Sequence, residues 1–185
     1  MLWICLLLPL HAQSGEKLVA AARKQIGVTT AYDPAYESLA YPGGDVPVER
    51  GVCTDVVIRA MRTSLSKDLQ KLVHEDMKGN FGSYPKNWGL SRPDKNIDHR
   101  RVPNLQTYFQ RQHDQLKLPA DKDPTKFLPG DIVTCIVPPN LPHIMIVSDR
   151  RTEGGIPLII HNIGAGTQEE DMLFRFKLTG HYRLK

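Results

Sequence analysis

The stretch GVCTDVVIRAMR, Gly51–Arg62, decides how the rest of the chain is read. A glycine closes an approach loop and Cys53 follows it. Behind them Val56, Val57, Ala60 and Met61 recur at helical spacing and fall on one face. Cys53 is therefore expected in the first turn of a helix packed on a core. A helix N-terminus carries partial positive charge and free N–H groups, which favour a thiolate and can hold an oxyanion.

Two later segments with strand patterning each offer a histidine. They are LPHIMIVSD, Leu141–Asp149, and LIIHNIG, Leu158–Gly164. A cysteine with distant histidines that can meet it in space is the sequence form of a cysteine nucleophile site. His143 is the candidate base. Neighbouring strands lie about 4.8 Å apart, so a side chain on the next strand can orient it. His161 and Asn162 compete for that place, but adjacent strand residues face opposite sides. His161 is the preferred partner.

Working outward, the chain before Cys53 opens with an amphipathic helix, Gly15–Gly27, carrying Leu18, Val19, Ala22 and Ile26 on one face. A loop rich in Pro and Gly follows, with Tyr32, Tyr36 and Tyr41; Tyr41 stands a short loop upstream of Cys53. After the Cys53 helix, which should end near Ser64, a second helix is expected from about Ser66 to Lys78 with a serine as N-cap. Gly79–Asn104 reads as a long connection that holds Trp88, Arg100 and Arg101. It is either a groove wall whose arginines grip carboxylates or a surface loop with solvated charges. Pro103 opens a further helix that runs to about Gln112. The remainder reads as strands, ending in two short ones around Thr179 and Gly180. Helices first and a meander of strands afterwards indicate an α+β fold with an antiparallel sheet.

The 185 residues suffice for one domain with a proper core. A formal charge of +4 gives a mildly basic surface suited to acidic partners. Neither zinc-ligand spacing nor a basic motif interleaved with aromatics is present, so nucleic acid is not the expected partner. The apolar run MLWICLLLPL, Met1–Leu10, is too short to span a bilayer and resembles the end of a secretory signal peptide. The expected organisation is a signal segment, residues 1–14, and one domain, residues 15–185, that is periplasmic or secreted. Outside that segment stand two cysteines, Cys53 and Cys135, and in an oxidising compartment they have the option of pairing.

Cysteine opening a helix, PGDIV leading a strand, histidine at the start of the next and a polar residue one strand later form an ordered set. This order resembles the NlpC-type papain-like cysteine peptidases, bacterial enzymes that cleave the peptide stems of peptidoglycan. The resemblance runs from about Tyr41 to Gly166. It is carried by YPGGDVPVERGVCTDVVIRA, NIDHRRVPNLQTYF, LPGDIV, HIMIVSD and HNIGAGTQEEDMLF. It implies a papain-like fold with N-terminal helices packed on an antiparallel sheet. Cys53 would be the nucleophile, His143 the base, His161 the third residue and Tyr41 a supporting hydroxyl. Val-Cys-Thr-Asp stands where the usual motif reads aspartate-cysteine-serine-glycine, so Thr54 and Asp55 depart from it.

The expected activity is an exported peptidase or amidase acting on peptidoglycan or muropeptides, working as a monomer without metal or cofactor. Arg100, Arg101 and Trp88 are the expected substrate contacts. Acyl transfer on another substrate and an inert cell-wall binding module are the alternatives.

Overall fold

The computed structural model describes residues 10–119 and 121–185. Most of the apolar run proposed as a signal segment, residues 1–9, lies outside the described residues. The first helix, α1 (Leu10–Arg23), begins within the remainder of that segment. It is followed by β1 (Ala31–Tyr32), β2 (Arg50–Gly51), α2 (Cys53–Leu65), α3 (Leu69–Asn80) and α4 (Val102–Arg111). The second half holds β3 (Gln115–Leu116), β4 (Ile132–Val137), β5 (Leu141–Arg151), β6 (Pro157–Asn162), β7 (Thr167–Glu170) and β8 (Lys177–Tyr182). The fold is mixed α+β. Six strands form one antiparallel sheet in the order β3-β8-β4-β5-β6-β7, while β1 and β2 pair separately and in parallel.

Strand alternation explains the sheet's two cores. Ile144 and Ile146 of β5, with Ile132, Ile160 and Tyr182, face the helices and meet Val56, Val57 and Leu105. Met145 and Val147 face the other way and join Val133, Cys135, Ile159, Phe127 and Leu173. β5 is thus buried on both sides from His143 to Ser148, which is why it reads as a near-continuous apolar run.

Helix α1 docks where two glycines meet. A Cβ on Gly15 would stand 2.3 Å from the Pro129 carbonyl oxygen. One on Gly130, whose φ is +84°, would stand 2.3 Å from the Gly15 Cα. At its other end Arg23 reaches Ser148, Asp149 and Glu169, tying α1 to the sheet.

Several boundaries differ from the sequence reading. Asp68, not a serine, caps α3, accepting the Gln70 N–H; Ser66 adopts the left-handed conformation that ends α2. The C-terminal segment forms one strand, β8, and not two, because it runs antiparallel to β4 along most of its length. The turn after Gly166 forms β7, which the glycine-rich exit from β6 had concealed.

Candidate functional site

The approach to Cys53 is fixed by backbone packing. Gly51 lies so close to α2 that a Cβ would stand 2.9 Å from Asp55 Oδ2 and 3.0 Å from Asp55 Cβ. Val52 is the extended N-cap residue and has no polar side chain to offer. Asp55, at the third position of the helix, reaches back instead, and its Oδ2 accepts the Val52 N–H at 2.7 Å. The same carboxylate takes both Nε (3.0 Å) and Nη2 (2.9 Å) of Arg100. Arg100 further donates to the carbonyls of Ala35 and Asp33, and its own carbonyl accepts the Thr54 hydroxyl. Thr54 and Asp55 therefore fasten the start of α2 to the loop before β2 and to the 98–100 turn.

This corrects one expectation. The Arg100 side chain is 2% exposed and is engaged by Asp55, Asp33 and Ala35, so its main bonds hold the chain together although it borders the cavity beside Cys53. The Gly79–Asn104 connection is neither all surface nor all groove wall. Asp98, His99 and Arg100 are buried, and Trp88, Arg100 and Arg101 line a cavity beside Cys53. That cavity holds about 410 Å³, and Tyr32, Asn140 and Pro142 also line it. The Arg101 guanidinium stacks over Trp88 at 4.1 Å and donates to Asp98 at 2.9 Å.

Cys53 and Cys135 are both free thiols, so the paired alternative does not occur. Cys53 is 4% exposed. Burial pushes its thiol up to about 12, against the N–H groups of Ile144 and Thr54, which favour the anion; Asp55 raises it further. Desolvation thus outweighs the helix N-terminus that the sequence reading relied on. Cys53 packs in the helix-side cluster that also holds Ile144, the residue after His143 on β5.

His143 and His161 are brought together: His143 Nε2 and His161 Nδ1 lie 2.7 Å apart. The rings meet edge to face, with centroids 4.9 Å apart. Both are buried. Burial, and His161 beside it, depresses His143 to about 3; burial depresses His161 to about 4. Asn162 faces the opposite side, as strand alternation requires. Its amide donates to the carbonyls of Gly51 (3.0 Å) and Ala31 (3.2 Å), so it pins the approach to Cys53.

Tyr41 is a second correction. Its ring packs edge-on against His74 at 5.2 Å, with Lys95 over it at 5.7 Å, and it does not line the Cys53 cavity. Tyr32 stands there instead. The short parallel pairing of β1 with β2 sets Tyr32 opposite Gly51, two residues before Cys53. Burial, then Cys53 and Asp55, push its hydroxyl up to about 12. Nothing in a two-residue strand inside a loop marks it in the sequence. Glu170 was also missed; its Oε1 lies 3.1 Å from His161 Nε2. Alternation after Gly166 was the available signal, since a hairpin from His161 sets a carboxylate beside that ring.

Among the described residues no group of three or more His, Cys, Asp or Glu side chains is placed to hold a metal ion, and no helix is long and apolar enough to cross a membrane. The α+β protein thus buries a cysteine at a helix start beside a cavity, and pairs two buried histidines on adjacent strands. Residues 19–184 match the family described as Domain of unknown function (DUF1287), and the chain belongs to it. It is 58% identical over 174 residues to the uncharacterized protein YijF of Escherichia coli (strain K12), covering 94% of this chain and 83% of that protein. No solved structure matches.

Proposed function

We propose that the chain is an exported cysteine hydrolase of NlpC-type, papain-like architecture that cleaves peptide stems of peptidoglycan. The observation that carries this reading is the buried His143–His161 pair, 2.7 Å apart on adjacent strands, in a fold that also buries Cys53 at the start of α2. In this mechanism His143 takes the thiol proton as Cys53 attacks an amide carbonyl. The proton then passes to the leaving amine, and water hydrolyses the thioester with His143 as base. Burial raises Cys53 and lowers His143, so in this mechanism both start neutral and proton transfer accompanies attack. The amide N–H of Cys53, at the open first turn of α2, is the oxyanion donor.

The cavity supports a peptide substrate. Trp88 offers an apolar face, and Arg101, stacked on it, is the cation for a stem carboxylate. Periplasmic or secreted location rests on the apolar run Met1–Leu10. The test is digestion of purified sacculi and muropeptides by the mature protein, read by mass spectrometry. New peptide fragments are expected with the wild type and none with Cys53→Ala or His143→Ala. Intact muropeptides with the wild type would overturn the reading.

One observation favours a second reading. With only 4% of Cys53 exposed, the cavity also suits a cell-wall binding module on the same fold. Binding to sacculi that survives Cys53→Ala, with no product, selects that reading. Transfer of the acyl group to an added amine, in preference to water, would select an acyltransferase.

A further inference from the structure

We infer that Glu170 is a positioning residue for the base, acting through His161 by selecting its tautomer. The inference rests on the hydrolase reading above and extends its residue set by one. It follows from what each atom can donate. A carboxylate accepts only, so the 3.1 Å contact between Glu170 Oε1 and His161 Nε2 places the proton on that nitrogen. A neutral imidazole carries one N–H, which leaves His161 Nδ1 as an acceptor. The partner 2.7 Å away, His143 Nε2, must then be the donor. His143 is left with its lone pair on Nδ1, the nitrogen to which the hydrolase reading assigns the Cys53 proton.

The relay has an opposite setting. With the proton on His161 Nδ1, that nitrogen would donate to His143 Nε2, and His143 would carry its own proton on Nδ1. It would then present a donor to the thiol where a base is needed. Two coupled imidazoles hold no preference of their own between the two settings. Glu170 provides one, because only the productive setting gives its carboxylate a hydrogen to accept. The burial of both rings, which depresses each imidazole, keeps the pair in neutral forms for which the choice is meaningful. Glu170 stands on β7 with its side chain 35% exposed and the His161 side chain fully buried, so it guards the outer end of the chain of contacts.

The experiment is nitrogen-15 NMR of the imidazoles in the full chain, on wild type, Glu170→Leu and Glu170→Gln, beside muropeptide kinetics. Wild type should carry protons on His161 Nε2 and His143 Nε2. Glu170→Leu should show a population with the proton on His161 Nδ1, and kcat should fall by at least about tenfold with KM within about twofold. Glu170→Gln, whose carbonyl oxygen still accepts, should restore the wild-type pattern.

A wild-type spectrum with the proton on His161 Nδ1 would overturn the inference without any variant. So would unchanged tautomers in Glu170→Leu. A wild type with the expected tautomers but no hydrolysis would instead overturn the hydrolase reading and leave the assignment of Glu170 to His161 standing.

Discussion

Asp55 and Arg100 form a two-point ion pair at the root of α2, with side chains 3% and 2% exposed. One Asp55 carboxylate therefore serves the Val52 amide and the Arg100 guanidinium together. Breaking such a pair from one side leaves a buried charge without its partner, at a cost of about 3–5 kcal/mol. Arg100→Ala and Asp55→Ala should each lower stability by that order in urea unfolding. A loss under about 1 kcal/mol, with a raised KM as the main effect, would return Arg100 to a substrate-binding role.

Gly51→Ala tests the close approach in front of Cys53. The added methyl meets Asp55 Cβ at 3.0 Å and Arg59 Nη1 at 3.3 Å, and both neighbours are held by several bonds. A cost of about 1–3 kcal/mol is expected from overpacking. Unfolding midpoints measure it, and a neutral substitution would show that the approach loop shifts freely.

Cys53 and His143 are shifted in the directions opposite to those of a thiolate–imidazolium pair. Burial raises Cys53 to about 12 and lowers His143 to about 3, so between these values both are neutral. Alkylation of Cys53 by iodoacetamide should climb with pH through pH 9 and show no plateau in the acid range. A labelling rate that levels off below pH 7 would demonstrate a preformed thiolate-imidazolium pair. Hydrolysis, if the proposed activity holds, should persist at pH 5, because the base stays unprotonated well below the ordinary histidine value.

Three buried histidines make stability depend on pH. His99, His143 and His161 are depressed to about 3, 3 and 4, chiefly by burial. The unfolded chain binds protons at these residues near pH 6.5, and the folded chain does not. Between those limits the unfolded state holds more protons, so stability falls as pH drops from about 6.5 toward 4. The slope is at most about 1.4 kcal/mol per pH unit for each histidine. Urea midpoints at pH 7 and pH 5 check it; equal midpoints would mean that one or more of the rings opens to water.

Arg101 and Trp88 are the remaining substrate candidates. Arg101→Ala should raise KM several-fold for a substrate with a free carboxylate and leave kcat nearly unchanged, since the contact is made before and during reaction alike. The effect should vanish when that carboxylate is amidated. Equal effects on both substrates would assign Arg101 to holding the 98–101 turn through Asp98.

Much of this arrangement was legible before any coordinates. Helical spacing placed Cys53 at a helix start because Val56, Val57, Ala60 and Met61 share a buried face. Period-two alternation chose His161 over Asn162 for the contact with His143, and the two side chains do separate to opposite faces. What failed were contacts set by chain folding over long separations. Arg100 looked like a free cation because its carboxylate partner lies 45 residues away. Tyr41 looked closer to Cys53 than Tyr32 by sequence count, but pairing of β1 with β2 folds the intervening loop out and brings Tyr32 back. The raised thiol value was also out of reach, since burial depth is a property of the closed fold.

Cys53 and the contacts that join His143, His161 and Glu170 come from widely separated parts of the chain. A growing polypeptide holds its thiol from the first third of synthesis but gains the two rings and the carboxylate only near the end. Until β5, β6 and β7 close on one another, the cysteine is an isolated thiol on an unfinished surface. On the proposed reading the centre is complete only once the sheet closes, so premature release or a truncated product would yield a chain that carries the proposed nucleophile without the proposed base.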